Sequence, residues 1–136
     1  VKKEFREDLS DSTYGFYDYR TKTVVINELL EKENKHTEII NTIFHELTHA
    51  KQYALLEKYF DFNGPINSVK SNADISSIDK AEDKIMFLST LLSQLQYDYT
   101  FTNGCDPTST IQLCHYEELN HEVEAFAVGD YAAGQF

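Results

Sequence analysis

The chain has 136 residues, 41% hydrophobic and 26% charged, too apolar for a disordered segment and of a length that builds one core rather than two. Twelve Lys and Arg against 23 Asp and Glu give a net charge of −11. No basic stripe exists to neutralise phosphates, so nucleic acid is set aside as a partner and anionic membranes are disfavoured. No apolar run is long enough to span a bilayer, no secretory leader is evident, and a single monomeric domain over residues 1–136 is expected.

Val1–Ser12 is charged and reads as a loop or a frayed helix. Thr13–Tyr19 is rich in β-formers, Thr23–Ile26 is a β-branched run, and Asp18-Tyr19-Arg20-Thr21-Lys22 between them reads as a turn. Together they predict a hairpin. A helix is expected from about His36 to Leu56, with Ile39, Ile43, Leu47, Ala50 and Ala54 forming an apolar stripe. Asn34 or Thr37 is its candidate cap.

Phe62-Asn63-Gly64-Pro65 breaks the chain, and the polar stretch Ile66–Ile78 reads as loop. A further helix is predicted over Asp79–Tyr97, its apolar face made of Ile85, Leu88, Leu91, Leu92 and Leu95. Thr102–Leu113 is expected to be a loop carrying Cys105, with Cys114 just beyond. The short spacing allows a disulfide or two free thiols, and it leans toward an oxidising, extracellular compartment. The last helix is predicted over Glu117–Ala133, with Leu119, Val123 and Phe126 on its apolar stripe and Gly134 past its end.

The chemistry lies in His45-Glu46-Leu47-Thr48-His49, an H-E-x-x-H sequence. Two His four apart project from one helical face, and neutral imidazole nitrogens are good zinc ligands. Glu46 falls beside the metal rather than on it, placed to take a proton from a zinc-activated water. A chance match somewhere in a chain of this composition is roughly a 2% event, and the motif falls inside a predicted helix, where the chemistry needs it. Without a metal, His45 and His49 would belong to a solvated polar face shared with Glu38, Asn41, Thr42 and Gln52, opposite Ile43, Leu47 and Ala50.

A catalytic zinc takes a third protein ligand and keeps one position open. An extended histidine pattern fails, because residue 55 is Leu. Asn120-His121-Glu122-Val123-Glu124-Ala125-Phe126-Ala127 offers two carboxylates and an imidazole, leaving Glu124, Glu122 and His121 or His115 as candidates. Glu122 and Glu124 stand two apart on a helix and cannot both reach one ion. Asp130, near the apolar stripe, could orient a ligating His if buried; otherwise it is a helix-end residue in water.

Taken together, the H-E-x-x-H helix, the glutamate-bearing stretch Glu122–Ala127 and the upstream Gly15-Phe16-Tyr17-Asp18…Thr23-Val24-Val25-Ile26-Asn27 resemble the gluzincin metallopeptidases. The glutamate helix is similar in style to those of anthrax lethal factor and the secreted Pro-Pro endopeptidases. The resemblance implies an α+β, zincin-like fold, with a small hairpin or sheet packed on the metal-binding helix, a downstream glutamate helix and an inserted helix. It implies one zinc ion held by His45, His49 and Glu124, with Glu46 as general base in the hydrolysis of peptide or protein substrates. Such enzymes often use a Tyr or His to stabilise the oxyanion, which nominates Tyr116 and then His121. The rival reading is a zincin-like toxin or binding domain of a larger protein without general proteolysis. A deformylase is less favoured, because its cysteine ligand usually precedes the His pair and both cysteines here follow it.

Overall fold

The computed structural model describes residues 1–59, 78–103 and 119–135, with the backbone course alone for 94–103 and 120. Three strands and four helices follow in the order β1 (Lys2–Arg6), β2 (Gly15–Asp18), β3 (Thr23–Asn27), α1 (Glu28–Lys32), α2 (His36–Tyr59), α3 (Ala81–Asn103) and α4 (Asn120–Ala133). The described fold is a small α+β arrangement. Its contacts gather into two compact units, one of residues 1–51 and 124–136, the other of residues 52–123.

In the first unit the expected hairpin is present. β2 and β3 pair antiparallel, with Gly15 opposite Ile26 and Asp18 opposite Thr23. The connection is closed by an Asx turn, in which the Arg20 backbone N–H donates to Asp18 Oδ1 at 3.0 Å, and by Lys22 at φ 54. The charged N-terminus is not a loop or a frayed helix. Lys2–Arg6 forms a strand parallel to β3, so β3 is the centre of a sheet ordered β1-β3-β2. Its four charged residues mask this strand in the sequence: an edge strand with one face in water needs only Phe5 on its inner side. All five residues of β3 are buried, as a central strand requires.

One face of the sheet, from Val24, Ile26, Phe5 and Tyr17, packs with Leu30 of α1 and with Ile39 and Ile43 of α2. Gly15 is required by closeness: a Cβ there would fall against the Val25 carbonyl and 2.7 Å from the Thr42 methyl of α2. Asn27 ends β3 and caps α1. Its Oδ1 accepts from the Leu29 N–H at 3.1 Å, and its Nδ2 donates to the Ser10 and Thr13 carbonyls at 3.0 and 2.8 Å. Asn34 does not cap α2. It sits at φ 55 past the end of α1, where its own N–H reaches the Glu31 carbonyl and the Lys35 N–H reaches that of Leu30. This is a Schellman closure, and Asn tolerates the left-handed position. The Lys35 carbonyl then accepts the first bond of α2, from Ile39.

In the second unit, Leu56 and Tyr59 of α2, Ile78 ahead of α3 and Phe87 of α3 form a core, with Tyr53, Leu55 and Leu91 packed around it. The Tyr59 and Phe87 rings meet edge-on, centroids 5.7 Å apart. Of the apolar face expected of α3, Leu91 packs against this core, and the side chain of Leu95 lies outside the described residues. Ile85, Leu88 and Leu92 are exposed, Ile85 at 65%, whereas Phe87, Thr90 and Ser93 are fully buried. Counting apolar residues misplaced the stripe because the inward positions carry hydroxyls as well as a ring. α3 also continues through Thr102 and Asn103, which had been assigned to the following loop. The rest of the cysteine-bearing loop, the stretch before Ile78, and the first turn expected at Glu117 lie outside the described residues. No described helix is long and apolar enough to cross a membrane.

Candidate metal centre

α2 carries His45, Glu46 and His49 in its middle turns. The two imidazoles meet edge-to-face one turn apart, ring centroids 4.9 Å from each other and planes at 77°. The Phe126 ring of α4 meets His45 edge-on at 4.5 Å. Neither histidine is solvated: His45 is 9% exposed and His49 5%. Glu46 is buried too, its Oε1 lying 4.0 Å from His45 Nε2.

This sets aside the solvated polar face, which was the alternative to metal binding for these residues. Thr42, His45, Glu46, His49 and Gln52 are buried, while Leu47 and Ala54 of the predicted apolar stripe are exposed. Only Ile39, Ile43 and Ala50 of that stripe turn inward. The helix is therefore covered on its polar side as well as on its sheet side. Buried polar groups survive only when paired or ligating.

α4 is likewise rotated from its expected orientation. Of the stripe Leu119, Val123 and Phe126, only Leu119 is buried. The inward face consists of Glu122, Ala125, Gly129 and Ala132. The reason is steric. Small residues let the α4 backbone approach α2, and at Gly129 an added Cβ would stand 2.8 Å from the Asn41 backbone oxygen. Asp130 is exposed and does not orient a histidine. Its Oδ1 accepts from Asn41 Nδ2 at 2.8 Å.

His45, His49 and Glu122 each offer a ligand atom, and these atoms all lie within 4.8 Å of one another. Around a tetrahedral zinc with bonds of about 2.0–2.2 Å, ligand atoms stand ~3.5 Å apart. The set is therefore at most about an ångström wider than such a site. Two imidazoles and a carboxylate are also a donor set found at catalytic zinc, and the group can hold a metal ion of that kind.

Glu124 lies outside this group. It is half-buried, on the side of α4 that carries Val128 and Tyr131, both exposed, Tyr131 at 72%. Glu122, by contrast, is 1% exposed. The signal that separates them was in the sequence: Glu122 is in helical register with Ala125, Gly129 and Ala132, and a small-residue face marks where helices come close. His121 is not a surface residue. It is 4% exposed, with Nε2 3.9 Å from Glu122 Oε1. Tyr116, His115, Cys105 and Cys114 lie outside the described residues.

Two residues that no motif marked stand beside this turn. Gln52 Nε2 donates to the His121 carbonyl at 3.0 Å, and the His121 N–H donates to Ser93 Oγ at 3.1 Å. Gln52 shares the polar side of α2 with the histidines, which is a faint hint; nothing in the sequence singles out Ser93.

Residues 1–61 match the model of the SprT-like family. The match takes in the sheet, α1 and the H-E-x-x-H helix, which is less than half of the chain, and it stops short of α4. No curated protein and no solved structure matches.

Proposed function

We propose that this chain is a zinc-dependent peptidase domain in which His45, His49 and Glu122 hold one zinc ion and Glu46 is the general base. The observation that carries this reading is the convergence of two buried imidazoles and a buried carboxylate beside a further buried carboxylate, Glu46. The likeness of residues 1–61 to the SprT-like family, a family of zinc-metallopeptidase-like domains, supports it from a separate direction. Glu122 replaces Glu124 as the third ligand in this reading, because Glu122 is the carboxylate grouped with the histidines.

When bound, the metal supplies a Lewis acid that polarises the scissile carbonyl and acidifies water. Glu46 accepts the proton of the attacking water at its carboxylate and returns it to the leaving amine. Burial of Glu46 keeps bulk water from competing for that proton. The substrate in this proposal is a peptide or protein segment in extended form. β2 and β1 are the sheet's edge strands, and an extended chain can add to such an edge through main-chain hydrogen bonds. A metal-binding domain without catalysis would have no use for a second buried carboxylate at Glu46, which is why hydrolysis is preferred.

The test is cleavage of a mixed peptide library by zinc-loaded protein, with and without chelator, alongside Glu46→Gln. Cleavage that a chelator stops, zinc restores and Glu46→Gln abolishes supports the reading. Stoichiometric zinc with no cleavage of any peptide points instead to a binding or toxin domain.

A further inference from the structure

We infer that Gln52 and Ser93 are positioning residues for the third ligand, clamping from two helices the residue that precedes Glu122; this rests on reading Glu122 as a ligand. The first N–H groups of a helix have no partner within it and need outside acceptors. At the start of α4, the Leu119 carbonyl accepts from Glu122 and Val123, but a leucine side chain cannot cap an amide. The N–H of His121 therefore takes its acceptor from another helix, Ser93 Oγ of α3. Its carbonyl, in the peptide unit that leads directly into Glu122, accepts from Gln52 Nε2 of α2.

Both side chains are fully buried, as Glu122 nearly is. A buried amide and hydroxyl cost desolvation that an apolar pair would avoid. What the polar pair adds is direction. One bond to the N–H and one to the carbonyl of the same residue, from different helices, fix both the slide and the rotation of the first turn of α4. A carboxylate whose oxygens lie three rotatable bonds from that backbone inherits the aim. Gln52 is also three residues beyond His49 in sequence, on the same helix. Groups that orient metal ligands typically alter metal affinity by about 10–100-fold when removed.

The experiment is a double-mutant cycle on zinc affinity, read by chelator competition on the full chain. The variants are Gln52→Met, Glu122→Ala and the pair together. The unfolding temperature of each metal-free variant is measured in parallel. Gln52→Met is expected to weaken zinc binding about 10–100-fold with Glu122 present and to have no further effect once Glu122 is gone. An equal loss in both backgrounds shows a general structural role and overturns the proposal. If Glu122→Ala itself leaves affinity unchanged, the ligand assignment fails, a result distinct from failure of the clamp. Ser93→Ala, a smaller lesion, runs through the same cycle should Gln52→Met not fold; Ser93→Thr, which keeps the hydroxyl, should restore affinity.

Discussion

Replacing Gly129 by Ala sets two effects of opposite sign against each other. Helix propensity alone favours Ala by about 1 kcal/mol in a helix interior. The structure demands the reverse. The new Cβ would fall against Asn41 Oδ1 and 2.8 Å from the Asn41 backbone oxygen. The side chain can swing aside only by giving up its bond to Asp130, which is exposed and contributes at most ~1 kcal/mol. The backbone oxygen cannot swing, so α2 and α4 must part there by about half an ångström to reach an ordinary carbon–oxygen contact. Overpacking of this kind costs about 1–3 kcal/mol. The net expectation is destabilisation by about 1–3 kcal/mol, a fall of several degrees in unfolding temperature for a chain of this size. Thermal or urea unfolding of the metal-free protein measures it. A variant as stable as the parent, or more stable, would show that α4 does not approach α2 as described, and the reason given for Glu122 facing inward would fall with it.

Glu122→Ala should weaken zinc affinity by more than the ~100-fold typical of losing an orienting group, whereas Glu124→Ala should change it less than about threefold, within the effect of an ordinary surface substitution; chelator competition ranks the two. Glu46→Gln should retain stoichiometric zinc by metal analysis while kcat falls about 10²–10⁴-fold. Asn27→Ala removes the α1 cap and both donors to the Ser10–Thr13 segment. It should destabilise the metal-free chain by about 2–4 kcal/mol, summing a cap near ~1 kcal/mol and two stranded acceptors, as read by urea unfolding.

The sequence determined the elements whose signals are local. The β2–β3 hairpin follows from β-branched runs around an Asp-led turn. The long α2 and the adjacency of His45 and His49 follow from a periodicity of 3.6 residues. What it misjudged were faces. Val123 on α4, and Ile85, Leu88 and Leu92 on α3, are large apolar groups, yet they are exposed. Each helix's inward side is chosen by what its neighbours leave room for. Beside Asn41 of α2 there is no room for even a Cβ at Gly129, and Glu122 lies in helical register with that glycine and is buried. β1 was missed for a related reason. A strand at a sheet edge is defined by its partner, and Lys2–Arg6 pairs with a segment some twenty residues away that no local pattern could name. The candidate pair His45 and His49 was therefore legible in one five-residue motif, while which carboxylate lies grouped with it was decided by how closely two helices can pack.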